Sequence, residues 1–316
     1  MAGSSGLLGN LRRWLSAAGE AELVCEIAAD YVTALRLGRR GIEAWAAESL
    51  PEGAVNPGPL SENVPKAAPV ADVVQKVLAR VADSQRRCAL LVPDLVARVA
   101  LLDFDTFPDK QEEADALVRW RLGRDLPFDL KQAVLSFTVQ PGQGNKREVL
   151  AAVAVHSLVH QYEQCLEPAG VKPAWVTLST LAASDFLNGD AGARLLAKRD
   201  HTSLGLTLLH QGAVRFFRSL PLPVTEGPMD AAPLFDKIYP ALVYFQDQWG
   251  EPVREVVWAG SAGEGAALGE LLERETGCKL TNINLSDIDV PYTGGTRLPA
   301  DRRLLPSLGW ARGEIG

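Results

Sequence analysis

Three short β-rich runs in immediate succession, Leu23 to Ile27, Tyr31 to Leu37 and Ile42 to Leu50, constrain this chain more than any other feature. The connections between them are too short for anything but tight turns, one of them Gly38-Arg39-Arg40-Gly41, so the runs predict a meander. A loop rich in proline and glycine follows over 51–68. Val70, Val73, Val74, Val77, Leu78 and Val81 then recur at helical spacing up to Asp83, and Cys88 to Val92 is an unbroken apolar strand stopped by Pro93-Asp94.

Three strands, a helix and a fourth strand make the opening half of a ribonuclease-H-like domain, the α/β unit that actins, sugar kinases and Hsp70 chaperones duplicate. The next block departs from that pattern. Val96 to Phe104 reads as a strand, Lys110 to Leu122 as a helix, Ala133 to Val139 and Glu148 to Val155 as strands, and His156 to Ala169 as a second helix. Val171 to Leu178 would return as a strand, followed by a helix near Ser179 to Leu187. In the second half, Leu204 to Leu209 and Ala213 to Leu220 form a hairpin through His210-Gln211-Gly212. Pro233 to Trp249 reads as a helix and Glu255 to Trp258 as a strand. Gly260-Ser261-Ala262-Gly263 opens a helix to Thr276, and a strand at Lys279 to Leu285 and a helix near Leu304 to Ala311 complete the series.

A hydrophobic content of 47% against 22% charged residues excludes disorder over most of the length. The balance of 32 basic and 39 acidic residues, net −7, with no basic block, argues against nucleic acid as a partner. Cys25, Cys88, Cys165 and Cys278 lie far apart inside or beside apolar runs, which favours buried reduced thiols. His156 and His160 share a helix face but lack a third ligand, and no metal site is expected. No apolar run approaches a membrane span, so a cytoplasmic protein is expected. Leu7, Leu8, Leu11, Trp14 and Leu15 beside Arg12 and Arg13 form an amphipathic or frayed leader over 1–19.

Residues 114–128, Ala-Asp-Ala-Leu-Val-Arg-Trp-Arg-Leu-Gly-Arg-Asp-Leu-Pro-Phe, form a helix that runs into a Leu-Pro-Phe stop before a β-rich run. Together with Leu-Glu-Pro-Ala-Gly-Val-Lys-Pro at 166–173 and Arg218 to Leu222, this segment resembles the PilM family, the actin-like proteins of type IV pilus assembly. The resemblance implies a two-lobed actin-like fold, with a small inserted domain of the kind shared by PilM and the division protein FtsA. The boundaries would be a first lobe at 20–93, an inserted domain at 94–170, a return to the first lobe at 171–190 and a second lobe at 191–316. The second lobe is reduced, because only Pro223 to Ala232 separates the Ser-Leu-Pro-Leu strand end from the next helix, where the family places a helical subdomain over the nucleotide.

The resemblance also marks three places where a nucleotide would be held, and each is altered. The Asp-Ile-Gly of the first hairpin reads Glu26-Ile27-Ala28, with Asp30 and Tyr31 beyond it. Glu26 or Asp30 could still hold a hydrated magnesium, but the role expected of them is that of strand-end carboxylates facing solvent. At the second hairpin the same positions fall on Lys198-Arg199-Asp200, without a glycine to bring backbone amides to phosphate. No lysine or arginine is expected in a phosphate-turn context. Only Gly260, Gly263 and Gly265, at the third place, keep the family's small residues. The expectation is a degenerate ATPase that is not an enzyme and needs neither ATP nor magnesium.

The remaining activity implied is binding. PilM proteins receive the extended cytoplasmic tail of PilN, with its Ile-Asn-Leu-Leu-Pro type motif, in a groove between the first lobe and the inserted domain. Trp120 and Phe128, with Leu126 and Pro127, are expected to wall that groove, and Arg98 and Arg119 to donate to the peptide. The partners implied are a PilN-like membrane protein and other pilus assembly proteins, with the chain at the inner face of the inner membrane. Two alternatives remain: an active actin-like ATP-binding protein, and the cytoplasmic domain of a type II secretion L-type protein.

Overall fold

The computed structural model of the chain describes residues 23–123, 126–187, 192–225, 227–285, 291–295 and 301–315. The leader expected around 7–15 lies outside the described residues. The meander is present as β1 (Leu23–Ile27), β2 (Tyr31–Gly38) and β3 (Gly41–Ser49), paired antiparallel. Helix α1 (Ala67–Val81) buries Val70, Val74, Val77, Leu78 and Val81, one face at helical spacing, and delivers β4 (Arg87–Val92) parallel to β1.

The chain then leaves this sheet. Strand β5 (Ala97–Phe104), helix α2 (Gln111–Leu122) and strands β6 (Ala133–Pro141) and β7 (Arg147–Val155) build a separate antiparallel sheet, ordered β5-β7-β6. Helix α3 (His156–Gln164) leads back to β8 (Lys172–Leu178), which pairs parallel to β4 and completes a first sheet ordered β3-β2-β1-β4-β8. A short helix, α4 (Ser179–Ala183), follows.

The second lobe repeats the first in outline. Strands β9 (Arg194–Arg199), β10 (Ser203–His210) and β11 (Ala213–Pro221) form its meander. Helix α5 (Ala231–Trp249), strand β12 (Glu255–Ala259), helix α6 (Ala262–Thr276) and strand β13 (Lys279–Asn282) complete a sheet ordered β11-β10-β9-β12-β13. Strand β9 has no counterpart in the sequence reading. Its Arg-Leu-Leu-Ala-Lys-Arg composition, charged at both ends, hides a central strand whose Leu195, Leu196 and Ala197 are fully buried.

The two lobes share one core. Leu91 and Ala182 of the first lobe, Leu196 and Val257 of the second, and Leu308 and Trp310 of the last helix, α7 (Leu305–Ile315), belong to a single apolar cluster. Helix α7 lies on α4 so closely that a Cβ on Gly309 would stand 2.3 Å from the Ala182 carbonyl oxygen. Just before it, the chain pairs with β3: Ile42 N donates to Pro291 O at 2.8 Å, and Thr293 N donates to Ile42 O at 2.8 Å.

The small domain is also fastened to the second lobe. In the β6–β7 hairpin, Gln140 exchanges hydrogen bonds with the backbone of Val214, and Gln143 Nε2 donates to Gln248 O at 2.7 Å. Arg215 donates to Pro141 O at 2.6 Å and to Glu148 at 3.1 Å while its guanidinium lies 4.4 Å from the centre of the Trp249 ring.

Where the lobes meet, Gly205 of β10 faces the Asp94–Thr180 pair of the first lobe. A Cβ at Gly205 would stand 2.1 Å from Thr180 Oγ1 and 2.6 Å from Asp94 Oδ2. Gly205→Ala is expected to destabilise the protein by about 1–3 kcal/mol through overpacking at this contact, read from chemical denaturation. A variant as stable as the parent would mean the lobes part here at no cost.

Candidate functional site

Two concave surfaces bear on the expectations, and they lie in different parts of the molecule. The first is a cleft of about 570 Å³ between the lobes, lined by Asp30 and Tyr31 from the first lobe and by Lys198, Asp200, His201 and the Gly260–Glu264 turn from the second. It brings together residues from all three places that the sequence resemblance marks.

Glu26, at the end of β1, does not face solvent as expected; it is 1% exposed. Ser179 Oγ donates to its Oε1 at 2.6 Å, while Oε2 is buried with no hydrogen-bond partner. Burial pushes the Glu26 carboxyl up to about 8, against the opposing pull of Lys198 and the Ser179 hydroxyl. Asp94 is fully buried and accepts from Thr180 N at 2.9 Å and from Thr180 Oγ1; burial raises it to about 6, again opposed by Lys198. Asp30 does line the cleft, 4.0 Å from His201 across the lobes, and burial raises its pKa.

Lys198, at the altered second hairpin, is buried near the end of β9. Its Nζ donates to Asp200. Burial acts to lower its pKa, but the charges of Asp200, Glu26 and Asp94 outweigh that and hold it above the usual lysine value. No turn glycine accompanies Asp200, and the turn closes through Asp200 N donating to Ser203 O.

The third place keeps its glycines for a reason internal to the protein. A Cβ on Gly260 would stand 2.3 Å from the Trp258 ring, and one on Gly265 would meet Asn282 Oδ1 at 2.2 Å and Trp258 at 2.6 Å. Both accommodate the chain's own tryptophan, whose Nε1 donates to Ser261 O at 2.9 Å. Only Gly263 has open space over its Cα. The start of α6 carries a capping box, with Glu264 accepting from Ser261 and pairing with Arg199 at 3.0 Å, so a carboxylate already lies at this helix N-terminus. Arg199, Arg302 and Arg303 also lie on the cleft wall.

The donor set does not fit a divalent metal. The carboxylates that converge here face a buried ammonium, and among the described residues no group of three or more His, Cys, Asp or Glu side chains is arranged to hold an ion. His156 and His160 lie exposed on α3 with rings 6.1 Å apart, and His160 faces Glu163. All four cysteines are free and buried.

Lowering the pH should stabilise this junction. Between the ordinary glutamate value of 4.5 and about 8, the folded protein keeps a proton on Glu26 that the unfolded chain releases. Stability therefore falls as pH rises through this window, and Asp94 adds a fall of the same sign up to about 6. Urea denaturation from pH 5 to 8 should show this slope, and Glu26→Gln should flatten it. An unchanged slope in the variant would remove Glu26 as its source.

The second surface is a groove of about 380 Å³ between the first lobe and the small domain. One wall is β8, the edge of the first sheet, and the other is β6, the edge of the small one. Its floor comes from Ala152 and Val153 of β7 and Val159 of α3. Val134 on β6 and Val176 on β8 are 39% and 36% exposed in it, high values for apolar strand residues. Backbone edges and apolar side chains thus face one another across the groove.

None of the six residues assigned to a groove from sequence lines this one. Leu126 and Phe128 pack against the small-domain core around Val118, Leu122 and Phe137, because the Leu-Pro-Phe stop folds the chain back beneath α2. Arg119 spends its donors internally, on Asp115 at 2.6 Å and on the Leu130 carbonyl at 3.3 Å. Trp120 is 59% exposed on α2; Pro127 and Arg98 are exposed as well. The signal missed was the pair of β-branched residues at Val134 and Val176, indistinguishable by pattern from half-buried strand residues.

No family model matches the chain, and no curated protein matches it. Solved structures do share its fold. The PilM-PilN type IV pilus biogenesis complex superposes with a TM-score of 0.74 at 19% identity, over 93% of this chain and 97% of that one. The cytoplasmic domain of EpsL, an inner membrane component of the type II secretion system of Vibrio cholerae, superposes with a TM-score of 0.50 at 9% identity, over 91% and 93%. The fold is therefore actin-like, with a small sheet-and-helix domain placed between β4 and β8. Among the described residues no helix is long and apolar enough to cross a membrane.

Proposed function

We propose that this protein is a non-catalytic scaffold of a type IV pilus or related secretion machine, which captures the extended tail of a PilN-like membrane protein. It would work in the cytoplasm at the inner face of the inner membrane, held there by that partner and meeting other assembly proteins. The observation that carries the reading is the groove walled by two free strand edges. An extended peptide laid between β6 and β8 gains backbone hydrogen bonds from an edge and apolar pockets for alternate side chains. The fold shared with the PilM-PilN complex supports it.

Loss of nucleotide binding is part of the same reading. The cleft has a buried lysine at one phosphate hairpin, no glycine at either, and glycines at the adenosine place that pack against Trp258. Isothermal titration of the full chain tests both parts. A peptide carrying Ile-Asn-Leu-Leu-Pro is expected to bind, and magnesium-ATP is expected not to. The ATP-binding alternative has one observation in its favour, the arginines on the cleft wall, and tight binding of magnesium-ATP would establish it.

A further inference from the structure

We propose that the Lys198 ammonium stands in for the divalent cation of an actin-like cleft, so that a charge tethered to the second lobe joins the lobes without metal. The inference deepens the reading that nucleotide binding is lost, and it is independent of the peptide groove.

The carboxylates come from both lobes. Glu26 lies near the end of β1, Asp94 follows β4, and Asp200 lies in the turn after β9; Lys198, next to last in β9 with its side chain only 4% exposed, donates to Asp200 and is acted on by the charges of the other two. A buried lysine without partners would shed its proton; this one is held charged by all three acids. Glu26 supplies the second observation. It is buried at the junction beside the Ser179 and Tyr31 hydroxyls, and the charge of Lys198 acts on it there against the burial.

The charge count agrees with a monovalent occupant. One ammonium balances one carboxylate, and burial relieves the surplus by raising Glu26 and Asp94. The other ionisable groups facing the cluster are Tyr31 and Asp30 on the first lobe and His201 on the second. Together they add no further pair of acids that would make room for a metal. Gly205 completes the arrangement, because its missing side chain lets the Asp94–Thr180 pair approach β10, the strand that pairs with Lys198.

The test is thermal unfolding of the full chain in EDTA, in magnesium, and in manganese. The parent is expected to melt at the same temperature in all three. Lys198→Ala is expected to melt several degrees lower in EDTA and to regain a large part of the loss in magnesium or manganese, which would occupy the vacated carboxylates. If Lys198→Ala is insoluble without metal, refolding it with magnesium should recover it. The Lys198→Met, Glu26→Gln, Asp94→Asn triple variant should fold and show no response to metal.

A parent stabilised by metal alone, or Lys198→Ala indifferent to metal in both melting and refolding, overturns the assignment. Adding ATP separates the two readings. Stabilisation by ATP in EDTA would sink the lost-nucleotide reading and support the lysine assignment, whereas stabilisation that requires ATP and metal together would overturn the lysine assignment.

Discussion

Val176→Arg is expected to weaken binding of an extended apolar peptide by roughly 100-fold, equivalent to about 2.7 kcal/mol, while leaving the fold intact. Val176 lies on the free edge of β8, 36% exposed, opposite Val134 on β6. Removing its contact area costs about 1–2 kcal/mol at full burial. The guanidinium adds the penalty of desolvating a charge with no acid on the opposing strand. Glu163 at the groove's far rim belongs to α3 and engages His160. Because Val176 is already partly in water, stability should change by no more than about 0.5 kcal/mol. Titration of the peptide against the folded variant measures the loss. Trp120→Ala serves as the counterpart, since this residue is exposed on α2 away from the groove, and its affinity should match the parent. The reverse ranking of the two variants would move the binding surface to α2.

Arg215→Ala should be the most destabilising single change at the junction of small domain and second lobe, by about 3–5 kcal/mol in chemical denaturation. The guanidinium is 2% exposed, satisfies the Pro141 carbonyl, pairs with Glu148 and stacks on Trp249. Truncation strands Glu148, a carboxylate already raised by burial and lowered by Arg215 alone among the nearby cations. Limited proteolysis should then cut near Gly142–Asn145, at the tip of the hairpin that Arg215 anchors. The Arg215→Met, Glu148→Leu pair should recover much of the loss, since both charges leave together. A single variant as stable as the parent would show that the small domain hangs from the first lobe alone.

The fold was legible because its signals are local. The meander at Leu23–Ser49, the valine face of α1 and the return of the chain at β8 each rest on apolar periodicity, which burial in a sheet or on a helix face dictates directly. Strand β9 was not, because its ends carry arginine and lysine and only its three central residues advertise a core. The same disguise concealed Lys198, for nothing in the sequence distinguishes a lysine held between a neighbouring acid and two distant ones from one in water. Glu26 was misplaced to solvent for the complementary reason: its hydroxyl partner, Ser179, stands 153 residues away. The groove went unseen because it is made by edges of two sheets, and sheet order follows from topology that pattern reading does not reach. Gly260 and Gly265 were noticed, but the tryptophan that requires them could be recognised only once β12 and α6 were placed side by side.

The pairing of residues 291–293 on β3, and the seat of α7 on α4, have a consequence for how the molecule is made. The N-terminal sheet gains its outermost backbone partner, and its helical layer gains Trp310 and Leu308, only after residues 291–311 have left the ribosome. Nascent N-terminal segments must therefore wait with an open edge and an uncovered apolar flank, a state prone to association with other chains. Maturation of the N-terminal lobe is expected to be all-or-none, with demand for chaperones concentrated before residues 291–311 emerge.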